Sequence, residues 1–355
     1  MSNILKQIVT ANRSGQTAAI PSVCSAHPDV LRASLLRAQT RDRAIVIEAT
    51  SNQVNQFGGY TGMTPRDFVS IVNSIADAAK VDRDRIIFGG DHLGPQVWRK
   101  GDAAQAMAKA STMVGDYVNA GFTKIHLDCS EGCAGEDAQV GDSLAASRAA
   151  FLAETCLSGG QTDLTFVIGT EVPPPGGARA DEEGDIAPTS PVAAEKTLQA
   201  HREAFSDSAW SKVSGLVVQP GVEFAPMHVH HFPMDRDPAL RAVMLRWPDL
   251  CLEAHSTDYQ HPDVFPKLAE LGFAYQKVGP ALTFAYRQAV YALDQMQAVA
   301  GWGQAVVYDT METLMLSDAD AWKGHYHGAP DQLKIARHFG LADRIRYYWA
   351  QPAAQ

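Results

Sequence analysis

Short apolar runs of strand length recur along the chain, and each ends in a polar residue or just ahead of a polar cluster. Eight such runs are present: 20–25, 44–48 leading to Asn52, 86–92, 124–128, 164–171, 216–219, 252–255 and 274–277. Their β-branched content and flanking Gly, Pro, Asp and Asn predict strands. Helical segments separate most of them. Thr64-Pro65 predicts an N-cap and first helical position for a helix reaching Lys80. The Ala-rich stretch from Asp102 to Ala120 stops at Gly121, and the stretch from Ala281 to Ala300 follows Pro280 and stops at Gly301. Regular β–α alternation predicts a parallel sheet covered by helices. Eight strands, rather than five or six, predict an α/β fold of the (β/α)8 TIM barrel type over an open doubly wound sheet. Such a barrel collects the C-terminal ends of its strands on one face, which carries the chemistry. The run endings are therefore read as one candidate active site.

The barrel is expected over residues 1–300, with a helical extension over 301–355 packed on it. A long polar loop, 173–188, follows the fifth strand, and loops of that length are usually functional or disordered.

Composition narrows the function classes. The chain has 355 residues, 46% of them hydrophobic, enough for a large core. A net charge of −10 opposes a nucleic-acid partner, because phosphate neutralisation needs a basic face. Five dispersed cysteines predict thiols in a reducing compartment, not a disulfide framework. No apolar stretch has signal or membrane-span length, so a cytoplasmic protein with no membrane partner is expected. A homo-oligomer is compatible with all of this.

The sharpest motif is Gly89-Gly-Asp91-His92-Leu-Gly-Pro95. Neighbouring strand residues point to opposite sides, so Asp91 and His92 share a site only where the strand ends and turns. The glycines would permit that turn and a close substrate approach. Imidazole is the commonest metal ligand, and an adjacent carboxylate can act as acid or base. The bland alternative is a capped turn with a surface His. Glu171 and His255 end other strands and can converge with His92 on a divalent cation that keeps open positions. Gln219 offers a further neutral oxygen to the metal, or an ordinary substrate hydrogen bond. Asn52 and Gln56, from an amide cluster, suit a polyol. Asp128, Asp258 and Lys277 are substrate or acid–base candidates, or rim ion pairs.

In this order, these motifs resemble the tagatose-bisphosphate aldolase subunit Z family, related to the class II aldolases. Carrying the resemblance are Ser22-Val-Cys-Ser-Ala-His27, the segment from Glu48 to Thr64, Gly90-Asp-His-Leu-Gly-Pro95 and Gly169-Thr-Glu-Val-Pro173. It continues through Gln219-Pro-Gly-Val-Glu-Phe224, Glu253-Ala-His-Ser-Thr-Asp-Tyr-Gln260, Lys277-Val-Gly-Pro-Ala-Leu-Thr283 and Arg344-Ile-Arg-Tyr-Tyr-Trp349. Members of that family are described as a 4-epimerase of tagatose and fructose 6-phosphates, as a non-catalytic partner of the aldolase, and as a kinase. No Gly-x-x-x-x-Gly-Lys-Ser/Thr loop supports the kinase.

The resemblance implies a small sugar-phosphate substrate in galactitol/tagatose-type catabolism, and as an alternative role a partnership with a class II aldolase catalytic subunit. It also implies a divalent metal, zinc first and manganese or magnesium otherwise. Aldolase acid–base and zinc positions map to Asp91 and His92, with Glu171 before Gly176-Gly177, the acidic loop Asp181-Glu182-Glu183, and His255. Two positions depart: Gln219 stands for a zinc His, and Asp258 stands where a Ser holds a phosphate. A carboxylate repels a C1 phosphate and accepts from a C1 hydroxyl, which favours a ketose 6-phosphate over the 1,6-bisphosphate. Retro-aldol cleavage of C3–C4, rotation of the aldehyde and recombination would invert C4. Asp91 would move the C4-hydroxyl proton on one face, and Glu182 or Asp128 on the other. Arg344 and Arg346 are the 6-phosphate candidates, provided the C-terminal segment covers the barrel mouth; otherwise they form surface salt bridges.

Overall fold

In the computed structural model, which describes residues 4–169 and 186–355, each of the eight predicted runs overlaps a strand of one closed barrel. In chain order the strands are β1 (Ile20–Cys24), β2 (Ile45–Thr50), β3 (Ile86–Leu93), β4 (Lys124–Leu127), β5 (Thr165–Gly169) and β6 (Val213–Val217). They continue with β7 (Glu223–Ala225), β8 (His228–His230), β9 (Cys251–Ala254) and β10 (Phe273–Val278). All barrel pairs are parallel, and β1 closes the ring by pairing with both β2 and β10. β7 and β8 form a separate antiparallel hairpin on the mouth side, which the run pattern does not predict.

The covering helices start and stop where local chemistry dictates. Thr64 and Asp67 form a reciprocal capping box on helix Pro65–Ala78. Asp102 caps Ala103–Ala120, which ends at Gly121 in the left-handed region with φ 104°. An N-terminal helix, Ile4–Arg13, was not predicted. It packs Leu5 and Val9 against Ile20, Val46, Val167 and Val217 and closes the bottom of the barrel.

Beyond residue 300, helices Val307–Ser317 and Pro330–Phe339 lead to a single 3-10 turn, Arg344–Tyr347. The stretch 322–329, expected to be helical, is not. The core of this extension, Met311, Met315, Trp322 and Ile345, includes Phe224 of the hairpin. Asp343 ties it to helix Pro280–Val299, accepting from Thr283 Oγ1 (2.6 Å) and Arg287 Nε (3.0 Å). That tie brings Arg346 and Tyr347 to the barrel mouth.

Candidate active site

The barrel interior is charged in layers. Deepest lies Lys124 of β4, fully buried, its ammonium 2.7 Å from Glu48 of β2 and 2.8 Å from Glu253 of β9. Above it stand Asp91, His126 and His255, all fully buried. Near the opening, Lys277 of β10 donates to Asp91 Oδ2 at 2.6 Å and lies 2.9 Å from His92 Nε2.

Asp91 and His92 do face one site. The device is His92 itself, whose φ of 48° breaks the strand alternation, and the β3–β4 register shifts between Gly90 and Leu93. Gly89 and Gly90 serve packing, not turning or substrate approach. A Cβ on Gly89 would lie 2.7 Å from Glu48 Cγ, and one on Gly90 2.6 Å from Leu93 Cδ1. Gly94 admits the next strand: a Cβ there would lie 1.7 Å from the Asp128 carbonyl oxygen.

Ligand atoms of Asp91, His92, His126 and His255 all lie within 4.8 Å of one another. The bonding separates their roles. His126 meets two acceptors, Asp91 Oδ1 at 3.0 Å through Nδ1 and the Gly169 carbonyl at 2.9 Å through Nε2. Both nitrogens are thus committed. Burial disfavours a charged ring there, but Asp91 overcomes it and raises the pKa of His126. His92 presents Nδ1 to Asp128 at 2.8 Å, and His255 presents Nε2 to Glu253 at 2.9 Å. A carboxylate behind each imidazole fixes its tautomer and points the other nitrogen inward, the arrangement typical of metal-bound histidines. Among the described residues four carboxylates (Glu48, Asp91, Asp128, Glu253) face two lysines and three imidazoles. A cation would improve that balance. His92 and His255, with Asp91 alongside, are the donors that would hold a divalent ion, in the space that the Lys277 ammonium borders here, 2.9 Å from His92 Nε2 and 2.6 Å from Asp91 Oδ2. Glu171, the expected carboxylate ligand, and Glu182, the expected acid, lie outside the described residues, as does the whole 170–185 segment.

Several expectations change. Gln219 is not placed as a ligand: its Oε1 accepts from Gly221 N (2.8 Å) and Val222 N (2.9 Å), so its own turn consumes the oxygen. Asp128 is engaged by protein groups on more than one side. It sits behind His92 and also accepts from Ser130 N and Oγ, and its pKa is held well below the ordinary carboxylate range by these partners despite burial. Gln56 turns away, donating to the Lys109 carbonyl at 3.0 Å. Its place at the mouth is taken by Gln53, which accepts from Thr50 N at 2.8 Å. Arg344 donates to the Ala321 carbonyl inside the extension and does not line the mouth.

Asn52, Asp258, Lys277 and Arg346 do line a mouth cavity of about 140 Å³, together with Asp91 and His92. Asp258 is 2% exposed, and its Oδ1 accepts from Gly279 N (3.0 Å) and Ala281 N (2.8 Å). It thus occupies the N-terminus of helix Pro280–Val299, a natural anion seat. Arg346 donates to Tyr347 Oη at 2.9 Å, and Tyr347 meets Tyr60 edge-on with ring centroids 4.6 Å apart. Burial opposes an ionised Tyr347, yet Arg346 and Arg344 hold its pKa below the ordinary phenol value.

Sequence reasoning missed His126, though Lys124-Ile-His-Leu-Asp128 carries the signal: alternation points Lys124 and His126 to the same side. Glu48 and Glu253, charged residues inside apolar runs, were equally visible.

The family model for D-tagatose-1,6-bisphosphate aldolase subunit GatZ/KbaZ-like proteins matches residues 5–355. The chain belongs to that family. Its relatives include a D-tagatose 6-phosphate 4-epimerase of Agrobacterium fabrum, 49% identical over all of this chain and 85% of the relative. A crystal structure of a "probable tagatose 6 phosphate kinase" from Sinorhizobium meliloti 1021 superposes with a TM-score of 0.87 at 44% identity, covering 95% of this chain and 84% of that one. A fructose-bisphosphate aldolase from Campylobacter jejuni, at 12% identity and a TM-score of 0.51 over 97% and 92% of the two chains, shares the fold.

The His92–Asp128 pair is testable. Asp128→Asn is expected to weaken divalent metal affinity about 10–100-fold, as loss of an orienting carboxylate usually does. Titration with a metal-ion indicator measures it; unchanged affinity would show that the Asp128 carboxylate does not orient a metal-binding His92.

Proposed function

We propose that this protein catalyses the 4-epimerisation of a ketohexose 6-phosphate, tagatose 6-phosphate to fructose 6-phosphate, by cleavage and re-formation of the C3–C4 bond. The observation that carries it is the Asp91–Lys277–His92 cluster at the mouth of an aldolase-like barrel, in a chain 49% identical to a named 4-epimerase. The C4 proton is not adjacent to the carbonyl, so direct deprotonation there is unattractive. Taking the C4-hydroxyl proton instead breaks C3–C4 and leaves an enediolate and glyceraldehyde 3-phosphate. Asp91 takes that proton on one face, and once the aldehyde has turned its other face a second acid, Glu182 in the sequence reading, supplies the proton to the new C4 oxygen. Lys277 holds Asp91 in place and keeps it ionised; burial opposes ionisation, but His92, Lys277 and His126 drive the Asp91 pKa well below its ordinary value. A divalent cation held by His92 and His255 would supply the charge that stabilises the enediolate.

Asp258 supports the monophosphate. It fills the helix terminus where a C1 phosphate would otherwise dock, so the protein provides its own anion there. Asp258→Ser is expected to improve competitive inhibition by tagatose 1,6-bisphosphate. It should also cost about 1 kcal/mol of stability, because a helix-start acceptor weakens. Inhibition constants and a denaturant melt check both; unchanged discrimination between mono- and bisphosphate removes this specificity argument.

The direct experiment uses the purified protein alone with fructose 6-phosphate, with and without a chelator. Tagatose 6-phosphate that appears only with metal is the expected result. The family description, which names an aldolase subunit, favours a second reading, in which this chain serves a tagatose-bisphosphate aldolase as a partner without turnover of its own. No turnover alone, together with a longer-lived aldolase on mixing, would establish that reading instead.

A further inference from the structure

The mouth cavity, of about 140 Å³, does not stand alone. A second cavity, of about 370 Å³, lies against it. Cys24, Gln53, Tyr60, Gly279 and Arg346 line both and so form the partition between them.

We propose that the phosphate end of the ketose passes this partition and is held in the second cavity by Arg346, facing the start of helix Pro28–Thr40. The assignment rests on the ketose-phosphate reading above. Three observations support it. First, Arg346 has no carboxylate within ion-pair distance among the described residues. Its guanidinium bonds run to the carbonyls of Ala342 and Asp343 and to the Tyr347 hydroxyl, so a charged partner is still lacking. Second, the anion seat on helix Pro280–Val299 is already taken by Asp258, and a substrate phosphate must dock elsewhere. Third, the second cavity carries donors. Trp349, 4% exposed, lines it, and its indole N–H has no acceptor among the described residues. Ser25 and His27 line it too, and His27 is the N-cap of helix Pro28–Thr40, accepting from Asp29 N through Nδ1 at 3.3 Å. The helix therefore adds its positive end to that of Arg346. Asp29 is exposed and does not line the cavity.

The test uses the full chain and inorganic phosphate as the probe, by calorimetry, alongside turnover of tagatose 6-phosphate and of free tagatose. Three variants are compared: Arg346→Met, His27→Asp and His27→Asn. Asp and Asn are both good N-caps, so helix Pro28–Thr40 is retained in either, and only Asp adds a charge that repels phosphate. Arg346→Met and His27→Asp are each expected to weaken phosphate binding at least about tenfold, the scale of one charged hydrogen bond. Both should lower the preference for tagatose 6-phosphate over tagatose by a similar factor, and His27→Asn should change each by much less. Equal phosphate affinity in wild type, Arg346→Met and His27→Asp overturns the subsite, even if epimerisation is confirmed. If the wild type converts neither ketose but binds phosphate with this variant pattern, the subsite stands and the proposed reaction falls. Should Arg346→Met fail to fold, the His27 pair still decides.

Discussion

Asp91→Asn is expected to lower turnover by about 10²–10⁴-fold, the usual contribution of a positioned acid–base group. The carboxylate is the hub of the mouth. It accepts from Lys277 Nζ at 2.6 Å and from His126 Nδ1 at 3.0 Å, and it lines the mouth cavity. Asn keeps the shape and loses the negative charge, so it can neither take the C4-hydroxyl proton nor hold Lys277 and His126 as before. The loss should fall mainly on kcat, because the proposed substrate contacts through Arg346 and Asn52 are untouched. Steady-state kinetics with tagatose 6-phosphate, beside a thermal melt and a metal assay, separate the causes. Turnover within tenfold of wild type, with metal and fold intact, would sink Asp91 as the proton carrier.

Lys124→Met should destabilise the barrel by about 3–5 kcal/mol, the cost of stranding buried charge. Lys124 is completely buried between Glu48 and Glu253, and all three are shielded from water by the barrel wall. Removing the ammonium leaves two carboxylates facing each other in a low-dielectric interior. The pH dependence has a definite sign. In the wild type, burial raises Glu253 but Lys124, His255 and His126 lower it below its ordinary value. Its stabilising contribution is thus present above the ordinary carboxylate range and is lost as pH falls toward the folded pKa. In the variant the stranded carboxylates hold protons more tightly in the folded state, so acid relieves the repulsion. The stability gap between the two proteins should therefore narrow as pH falls. Adding Glu48→Leu to Lys124→Met should recover part of the loss by removing one stranded charge. Denaturant melts across the acid range check all three statements; an equal gap at every pH would mean that the damage is a packing cavity and not charge.

The barrel itself was written in the sequence. Strand alternation, caps at Thr64 and Asp102 and the stop at Gly121 are local instructions, and local physics suffices to read them. The polar run endings also named Asp91, His92, His255, Asp258 and Lys277, because a parallel barrel must bring strand ends to one face. What each residue does there was not legible. Asp128 and Gln219 have the right chemistry to act on substrate or metal, yet one is committed to His92 and the other to its own turn, which depends on where neighbouring backbone amides fall. Gln53 and Gln56 differ only in which side of one turn they leave. Arg344 and Arg346 are two residues apart on a 3-10 turn. Only the docking of the extension, through Asp343, Thr283 and Arg287, decides that Arg346 reaches the mouth and Arg344 remains inside the extension. The sequence by itself determined the barrel and much of the set of candidate groups. Tertiary packing decided most of their partners, because bonds such as Lys277–Asp91 and His92–Asp128 join residues far apart in the chain.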